Sequence, residues 1–264
     1  FIFLLLPAIL AFIYSFQNYN MLKPHAKVFV ALQNYMEILK DPAFYKVLKN
    51  TVYFAAIVVP AQSAVALLLA LIVTSKVARI CFFSPVITSM VVVSILWTFL
   101  YNKDNGMINS FLSQLGIPAQ PFLLSEKQAM NSIIIMSIWQ AAGYQMMIFL
   151  AGLQDVSPEL YEAAQIDGAN WWQKFTNVTL PGIQHVSNFV ILMTTIQAFK
   201  LFTQPYIMTG GGPNESTKTL AYMIYEQGFQ YRNVGYSCAI AVLFFLIITL
   251  VSGILKKLIM KEED

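Results

Sequence analysis

Six polar side chains interrupt two of the most apolar parts of this chain. They are Gln140, Tyr144 and Gln145 in one apolar run, and Gln197, Lys200 and Gln204 in another. Polar residues inside membrane-length apolar segments are costly and therefore mark candidate solute pathways. Amide groups can hydrogen-bond to hydroxyls, and aromatic rings contact the C–H faces of sugar rings. These residue types therefore suit a sugar as the solute.

The same residues have a structural alternative, because glutamines in membrane helices often hydrogen-bond to neighbouring helices. The steps of three and four residues from Gln197 to Lys200 to Gln204 predict a polar stripe along one helix. A lysine near mid-span would cost about 2.5–3.5 kcal/mol unless it faces water or a partner. The residues alone leave both interpretations open, a solute pathway and a contact between helices.

No other group of side chains has the spacing of a catalytic, metal or nucleotide site. The two histidines lie far apart, and both cysteines, Cys81 and Cys238, lie in apolar runs, where a cysteine behaves as a small hydrophobic residue. The glycines that begin at Gly210 do not match the phosphate-binding loop pattern. The net charge of +3 is small and dispersed. We therefore expect no enzyme, no metal site and no nucleic-acid partner.

Composition places the chain in a lipid bilayer. Its 264 residues are 58% hydrophobic and 11% charged, whereas about 25% of residues in soluble domains are charged. About 20 apolar residues cross the hydrocarbon core, and lipid requires them to be helical. Six spans are predicted, at residues 1–16, 51–74, 80–101, 129–153, 185–207 and 234–255. The expected fold is an all-α membrane protein with one domain, residues 1–264, in which Pro60 and Pro85 kink their spans. Because the chain does not begin with Met, we expect the first span to be truncated.

A polar segment, residues 154–184, separates the fourth and fifth predicted spans. Ser157 precedes a proline and is typical of a helix start. Gly168 tolerates the left-handed backbone of a sharp turn. Asn170 can begin a second, aromatic-rich helix, which Pro181 is expected to end. The segment is either a loop resting on lipid headgroups, where tryptophans are common, or an element shaped for docking to a partner.

Residues 162–181 resemble the EAA loop of permease subunits in binding-protein-dependent ABC importers. The pattern is Glu162-Ala163-Ala164, then Gly168, then Val178-Thr179-Leu180-Pro181, with Val178 at the family's usual Ile position. In that family the loop is cytoplasmic and forms the coupling helix, which docks into a groove of the ATPase subunit. The resemblance implies this coupling role for Glu162, Ala163, Ala164, Asp167, Gly168, Ala169, Leu180 and Pro181.

Two further segments resemble the maltose, glycerol-phosphate and multiple-sugar group of permeases. One comprises Asn34-Tyr35, Asp41-Pro42-Ala43-Phe44 and Asn50-Thr51; the other comprises Thr209-Gly210-Gly211-Gly212-Pro213, Thr219-Leu220 and Tyr225. The resemblance thus covers most of the chain. It implies the type I ABC importer permease fold with a cytoplasmic coupling helix.

Charge alone does not decide the orientation in the membrane. Lysines and arginines are more numerous on the side away from Glu162, whereas the short loop with Lys76 and Arg79, and the pair Lys256 and Lys257, favour the Glu162 side as cytoplasmic. The resemblance implies that both termini and the coupling loop are cytoplasmic. It also implies a multi-pass protein of a bacterial or archaeal cell membrane.

The resemblance implies several partners. They are a second permease subunit, two ATPase subunits and an extracytoplasmic solute-binding protein, with ATP and Mg²⁺ bound by the ATPase subunits and no cofactor on this chain. The competing hypothesis is a self-contained secondary transporter or channel. It would need an ion or proton relay, but apart from Lys200 the spans lack ionisable residues, and no inverted repeat is evident. Which sugar is carried stays open.

Overall fold

The computed structural model describes residues 2–22 and 27–260. Phe1 and residues 261–264, at the ends of the predicted domain, lie outside them. The described residues form fourteen α-helices: α1 (Ile2–Ser15), α2 (Gln33–Lys40), α3 (Pro42–Ile72), α4 (Lys76–Ile87), α5 (Met90–Leu100), α6 (Met107–Gln114), α7 (Ala129–Gln154), α8 (Pro158–Ile166), α9 (Trp171–Lys174), α10 (Leu180–Gly182), α11 (Gln184–Phe199), α12 (Thr203–Met208), α13 (Leu220–Tyr225) and α14 (Val234–Met260). A 3-10 turn (Phe122–Leu124) and two π-helical segments (Phe175–Thr179 and Glu226–Gln230) add to them. The mainly helical prediction is confirmed.

A short antiparallel pair, β1 (Gln17–Asn18) and β2 (Val28–Phe29), departs from the all-α prediction. It packs directly against the start of α14, where the backbone at Gly235 approaches β1. A Cβ at that glycine would lie 1.9 Å from the Gln17 carbonyl oxygen. Only glycine permits so close an approach.

Four helical segments among the described residues are long and apolar enough to cross a membrane. They are Pro42–Ile72, Ala129–Gln154, Gln184–Met208 and Val234–Leu258. The pair α4 and α5 makes a fifth if it is counted as one broken span, and the apolar part of α1 is shorter than a full span. The predicted six spans therefore correspond to four clear ones, one bent pair and one short helix.

The prediction that residues 80–101 form one continuous helix is wrong. The helix breaks between Ile87 and Met90, and the two halves meet at an angle of 99°. Pro85 removes one backbone hydrogen bond from the last turn of α4, and Thr88 then adopts an extended conformation (φ −76°, ψ 138°). Pro85 was expected to kink this span, but the helix ends two residues after it.

The second span begins at Pro42 rather than at residue 51, and Pro60 does not interrupt it. Asp41 caps α3 by accepting a hydrogen bond from the Ala43 backbone N–H at 2.9 Å, and Pro42 is the first helical residue. Pro60 lies inside the uninterrupted helix. At 1.5 Å per residue, the 31 residues of α3 are about 46 Å long, which exceeds the hydrocarbon core of about 30 Å.

Helix α7 lies at the centre of the bundle. In the most apolar 18-residue stretch of α7, 61% of the residues are buried, against 11–33% in the corresponding stretches of the other three long segments. A Cβ at Gly143 would lie 1.9 Å from the Phe82 carbonyl oxygen, so α4 contacts α7 backbone to backbone. Small residues allow such close packing in membrane helices. The central helix therefore buries Gln140 and Gln145, whereas Tyr144 on the same helix is 49% exposed.

Candidate functional site

A cavity of about 230 Å³ lies between α3, α7 and the α11–α12 junction, large enough for several water molecules. Four of the six predicted pathway residues line it, namely Gln140, Gln197, Lys200 and Gln204. Ser137 of α7 and Thr194 of α11 add hydroxyl groups to its wall. Met90 also lines it, so the break between α4 and α5 lies beside this space.

A second, smaller cavity of about 30 Å³ adjoins the first and could hold about one water molecule. Tyr144 and Gln145, the two remaining predicted residues, line it together with Gln197. Gln62 and Thr194 line both cavities. The six side chains selected from the sequence thus line two adjoining cavities, in which Gln140 and Gln145 are buried and Tyr144, Gln197 and Lys200 are partly open to the surface.

The predicted polar stripe on one helix was wrong. Helix α11 ends at Phe199, Lys200 is its C-terminal capping residue, and Gln204 belongs to the separate helix α12. The ammonium group therefore lies near the negative end of the helix dipole rather than in mid-helix. A residue from another part of the chain stabilises the break between α11 and α12, because the Thr219 hydroxyl donates a hydrogen bond to the Leu201 carbonyl.

Two of the cavity glutamines also join helices. The Gln140 amide donates to the Pro85 carbonyl at 3.4 Å, close to the end of α4. The Gln145 amide donates to the hydroxyl of Thr194 on α11. The Gln145 Oε1 atom is buried and has no hydrogen-bond partner among the described residues. Helix contact and cavity lining are therefore compatible roles for the same side chains.

Sequence reasoning missed Gln62, which is only 4% exposed. It lies near the middle of α3 and lines both cavities. The signal was the same as for the other glutamines, a polar side chain within an apolar run. Gln62 is the one glutamine in the apolar run 51–74, whereas the predicted residues occur in groups of three.

The start and the turn of α8, in the polar segment 154–184, fold as predicted. Ser157 caps α8 by accepting a hydrogen bond from the Glu159 backbone N–H at 3.3 Å. Gly168 has φ +76° and ends α8 in a Schellman motif. In that motif the Ala169 N–H donates to the Ala164 carbonyl at 2.9 Å, and the Gly168 N–H donates to the Gln165 carbonyl at 3.1 Å.

The second helix of the segment starts with a capping box. The Asn170 side chain accepts from the Gln173 backbone N–H at 2.9 Å, and the Gln173 side chain accepts from the Asn170 N–H at 2.8 Å. This arrangement satisfies two backbone donors at the start of α9. Trp171 stacks on Phe175 with ring centroids 5.6 Å apart.

Pro181 does not end the aromatic helix, contrary to the prediction. The π-helical segment Phe175–Thr179 follows α9 directly, and α10 (Leu180–Gly182) carries the chain to the start of α11. Proline is tolerated here because it lies in the first turn of α10, where its missing N–H is not needed. The wider turn of the π-helix lets the Leu180 N–H donate to the Phe175 carbonyl.

Two contacts join the first part of the segment 154–184 to its last part. The Tyr161 and Thr179 hydroxyl oxygens lie 3.0 Å apart and link α8 to the end of the π-helix. A Cβ at Gly182 would lie 2.8 Å from a methyl carbon of Val156, so these two stretches of chain pack tightly. The two ends of the segment, Val156 just after α7 and Gly182 just before α11, are therefore held against each other.

The outer surface of the braced segment is uncovered. Glu162, Ala163 and Asp167 are exposed, and Ile166 is 87% exposed. Trp171 is 67% exposed. The structure thus presents carboxylates together with bare apolar side chains, a combination typical of a surface that a partner covers.

Comparison with known proteins agrees with this architecture. A family model described as binding-protein-dependent transport system inner membrane component matches residues 46–261. The probable ABC transporter permease protein YurN of Bacillus subtilis (strain 168) is 37% identical over an alignment of 239 positions that covers 87% of this chain and 82% of YurN. The arabinooligosaccharides transport system permease protein AraP of the same organism is 34% identical over 265 residues, covering 97% of this chain and 83% of AraP.

A solved structure shares the fold. One chain in the crystal structure of a bacterial ABC transporter involved in the import of the acidic polysaccharide alginate superimposes with a TM-score of 0.84. The match covers 98% of this chain and 90% of that one at 21% sequence identity. At that identity the likeness shows the architecture of the helices and no more.

Proposed function

This chain belongs to the family of binding-protein-dependent transport system inner membrane components, and we propose that it is the permease subunit of an ATP-driven carbohydrate importer. An extracytoplasmic binding protein would deliver the solute, and an oligosaccharide is the proposed cargo. The names of its relatives support this class, since AraP is an arabinooligosaccharide permease. The structural observation that carries the proposal is the pair of adjoining cavities around Gln62, Thr194 and Gln197.

The chemistry of the cavity walls favours a hydroxylated solute. Amides from Gln62, Gln140 and Gln197 can both donate and accept hydrogen bonds. The Ser137 and Thr194 hydroxyls donate to the Ile133 and Val190 carbonyls, so towards the cavity their oxygens act as acceptors. Among the described residues that line the two cavities, Lys200 is the one charged side chain. An inorganic cation or a proton relay would call for carboxylates or histidines at this depth.

We propose that residues 154–184 are the cytoplasmic coupling segment, with α8 docked in a groove of an ATPase subunit. Exposed Glu162, Ala163 and Asp167 would contact the ATPase, while Ala164, Gly168 and Ala169 fix the end of α8. Leu180 and Pro181 connect the segment to α11. Because contacts at Tyr161 and Val156 brace the segment, movement of the ATPase would be passed to α7 and α11 as a rigid unit.

The proposed topology has six spans. They are α1, α3, the bent pair α4–α5, α7, α11–α12 and α14. Both termini and residues 154–184 would face the cytoplasm, and the 209–219 loop would face outward. The complete importer would add a second permease subunit, two ATPase subunits that bind ATP and Mg²⁺, and the binding protein.

A self-contained secondary transporter or channel is the competing function. It predicts no stoichiometric ATPase partner. Purification from the native membrane in mild detergent separates the two hypotheses, because the proposed importer would co-purify with ATPase subunits. A chain that purifies alone and transports solute without ATP would contradict the proposal.

The carbohydrate assignment is tested in the reconstituted complex. ATPase activity would be measured in proteoliposomes with the cognate binding protein and a panel of mono-, di- and oligosaccharides, with amino acids and glycerol phosphate as other solute classes. Stimulation by one or more saccharides is expected. Stimulation by an amino acid alone would overturn the assignment while leaving family membership intact.

A further inference from the structure

An aromatic strip extends from the larger cavity to the surface. It consists of Phe202, Tyr206, Tyr225 and Phe229. The Phe202 and Tyr206 rings stack with centroids 5.3 Å apart and an interplanar angle of 20°. Tyr225 lies 5.1 Å from Phe202 and stacks on Phe229 at 5.4 Å and 26°. Because Phe202 lines the cavity, the rings form a continuous path from the cavity wall outward.

The strip becomes more exposed along its length. Tyr206 is 37% exposed and Phe229 is 68% exposed. The strip lies beyond the C-terminal end of α11, whereas the coupling segment lies at its N-terminal end. The 16 residues of α11 separate the two by about 24 Å. In the proposed topology the strip is therefore at the extracytoplasmic mouth of the cavity.

A rigid base holds the strip. Beneath it, Tyr222 is 4% exposed and its hydroxyl donates to the Gly210 carbonyl at 3.0 Å. Glu226, the residue after Tyr225, pairs with Lys218 at 2.8 Å. These contacts fix the start of the π-helical segment that carries Phe229. The rings are thus preorganised, which lowers the entropy lost when a ligand binds.

We propose that the aromatic strip is an outer saccharide subsite, on which a sugar ring of the incoming oligosaccharide stacks before the chain enters the cavity. This inference rests on the proposed function. Aromatic faces suit the C–H faces of sugar rings, and the Tyr206 and Tyr225 hydroxyl oxygens, 3.5 Å apart, offer hydrogen bonds at the edge. Gln204, which lies two residues after Phe202, reaches the same cavity wall.

Two alternative roles for the strip are less consistent with its geometry. An aromatic belt at the lipid interface would not place Phe202 in the wall of a polar cavity. A contact with the second permease subunit would cover Tyr206 and Phe229 but would not require the strip to be continuous with the cavity. The experiment below distinguishes both roles from a saccharide subsite.

The test compares Phe229→Leu with Phe245→Leu in the assembled, reconstituted transporter. Phe245 of α14 is a matched control because it is 67% exposed and lies away from the cavity. For the longest transported saccharide, Phe229→Leu is expected to raise KM about three- to tenfold with kcat nearly unchanged. The effect should shrink as the saccharide is shortened. The Phe245→Leu transporter should behave as the unmodified one does.

A second variant guards against misfolding. Tyr225→Phe removes one hydroxyl and keeps the ring, and it is expected to raise KM by a smaller factor with normal assembly. Unchanged KM for every saccharide in both variants would overturn the subsite. Loss of the second permease subunit from purified Phe229→Leu complexes would also overturn it, and would assign the strip to a subunit contact. Saccharide transport by the unmodified transporter is measured first. If it moves no saccharide, the proposed function itself fails, and the variants no longer test the subsite.

Discussion

The Gln145 amide of α7 donates a hydrogen bond to the Thr194 hydroxyl of α11, and the other end of that amide, Oε1, has no partner among the described residues. Thr194 in turn donates to the Val190 carbonyl at 2.6 Å, so its own hydrogen is already used. A buried, unpaired polar atom costs about 1–3 kcal/mol. In the proposed function, this oxygen, which lies beside the smaller cavity, would accept a hydrogen bond from a solute hydroxyl.

The Gln145→Leu substitution separates the solute role from the helix-contact role. Leucine removes the unpaired oxygen, and Thr194 keeps its bond to Val190. We therefore expect the unfolding temperature in detergent to stay the same or rise. Transport should fall about tenfold in kcat/KM, which corresponds to one lost hydrogen bond of about 1.4 kcal/mol. A clear drop in unfolding temperature with normal transport would show that Gln145 serves only to join the helices.

The backbone contact at Gly143 predicts a large effect of a single methyl group. In Gly143→Ala the new Cβ would lie 1.9 Å from the Phe82 carbonyl oxygen, so α4 must move away from α7. The Gln140 bond to Pro85 would break as well. We expect a loss of about 2–4 kcal/mol, the range for overpacking plus a lost hydrogen bond, measured by thermal unfolding in detergent.

Gly253→Ala is the matched control for this substitution. Gly253 also lies within a long helix, α14, but nothing lies within 4 Å of the position its Cβ would take. Alanine is the better helix former by roughly 1 kcal/mol, so this variant should be neutral or slightly stabilised. Equal effects of the two substitutions would contradict the close contact between α4 and α7.

The Lys218–Glu226 ion pair predicts a stability effect at the base of the aromatic strip. The two side chains are 15% and 13% exposed, and Nζ lies 2.8 Å from Oε1. Removing one partner of an isolated buried pair costs about 3–5 kcal/mol, but Lys218 also keeps Glu215 at 3.2 Å, so we expect Glu226→Gln to cost less than about 3 kcal/mol. Glu226→Gln should therefore lower the unfolding temperature in detergent. Glu37→Gln, at an exposed carboxylate that accepts a hydrogen bond from the Gln33 amide, should leave it nearly unchanged.

The same pair sets the direction of a pH effect. Burial opposes the charged form of Lys218, but its hydrogen bonds to Glu226 and Glu215 and their negative charges outweigh burial and raise its pKa. A raised pKa means that the lysine stabilises the fold fully below the unfolded value of about 10.4 and loses that effect as pH rises through the folded value. The stability difference between the unmodified protein and Lys218→Met should therefore be constant from about pH 7 to pH 9. A difference that shrinks within that range would contradict the raised pKa.

The sequence was most informative where structure is determined locally. Ser157, Gly168 and Asn170 act on backbone groups within three or four residues, so their types predicted the caps and the turn of the coupling segment. The glutamines were predictable as a group because polar residues in apolar runs have few other roles. The same rule applied to Gln62 would have found it.

Features decided by tertiary contacts were not predictable from the residues. Hydropathy is the same for a straight helix and for one bent by 99° at Thr88 and Ser89, so the third span was predicted as continuous. Helix α11 ends before Leu201, whose carbonyl accepts a hydrogen bond from Thr219, a residue 18 positions away. That distant contact separates Lys200 and Gln204 from the helix on which the stripe was expected.

The coupling proposal is tested most directly by two glycines with the same backbone. Gly168 (φ +76°) follows α8, and Gly116 (φ +74°) lies in the loop between α6 and α7; at both, nothing lies within 4 Å of the position that a Cβ would take. Tryptophan at either position carries the same backbone strain, about 1 kcal/mol, and meets no neighbour in this chain at its Cβ. The two variants therefore differ in the partner surface that they face.

The decisive measurement is the amount of ATPase subunit retained by each purified complex, together with its saccharide-stimulated ATPase activity in proteoliposomes. Gly168→Trp should lose at least about 90% of both, which corresponds to about 1.4 kcal/mol of docking energy, while its unfolding temperature matches that of Gly116→Trp. Gly116→Trp should retain both. Full retention and full stimulation in the Gly168→Trp complex would contradict the proposal that residues 154–184 couple this chain to an ATPase.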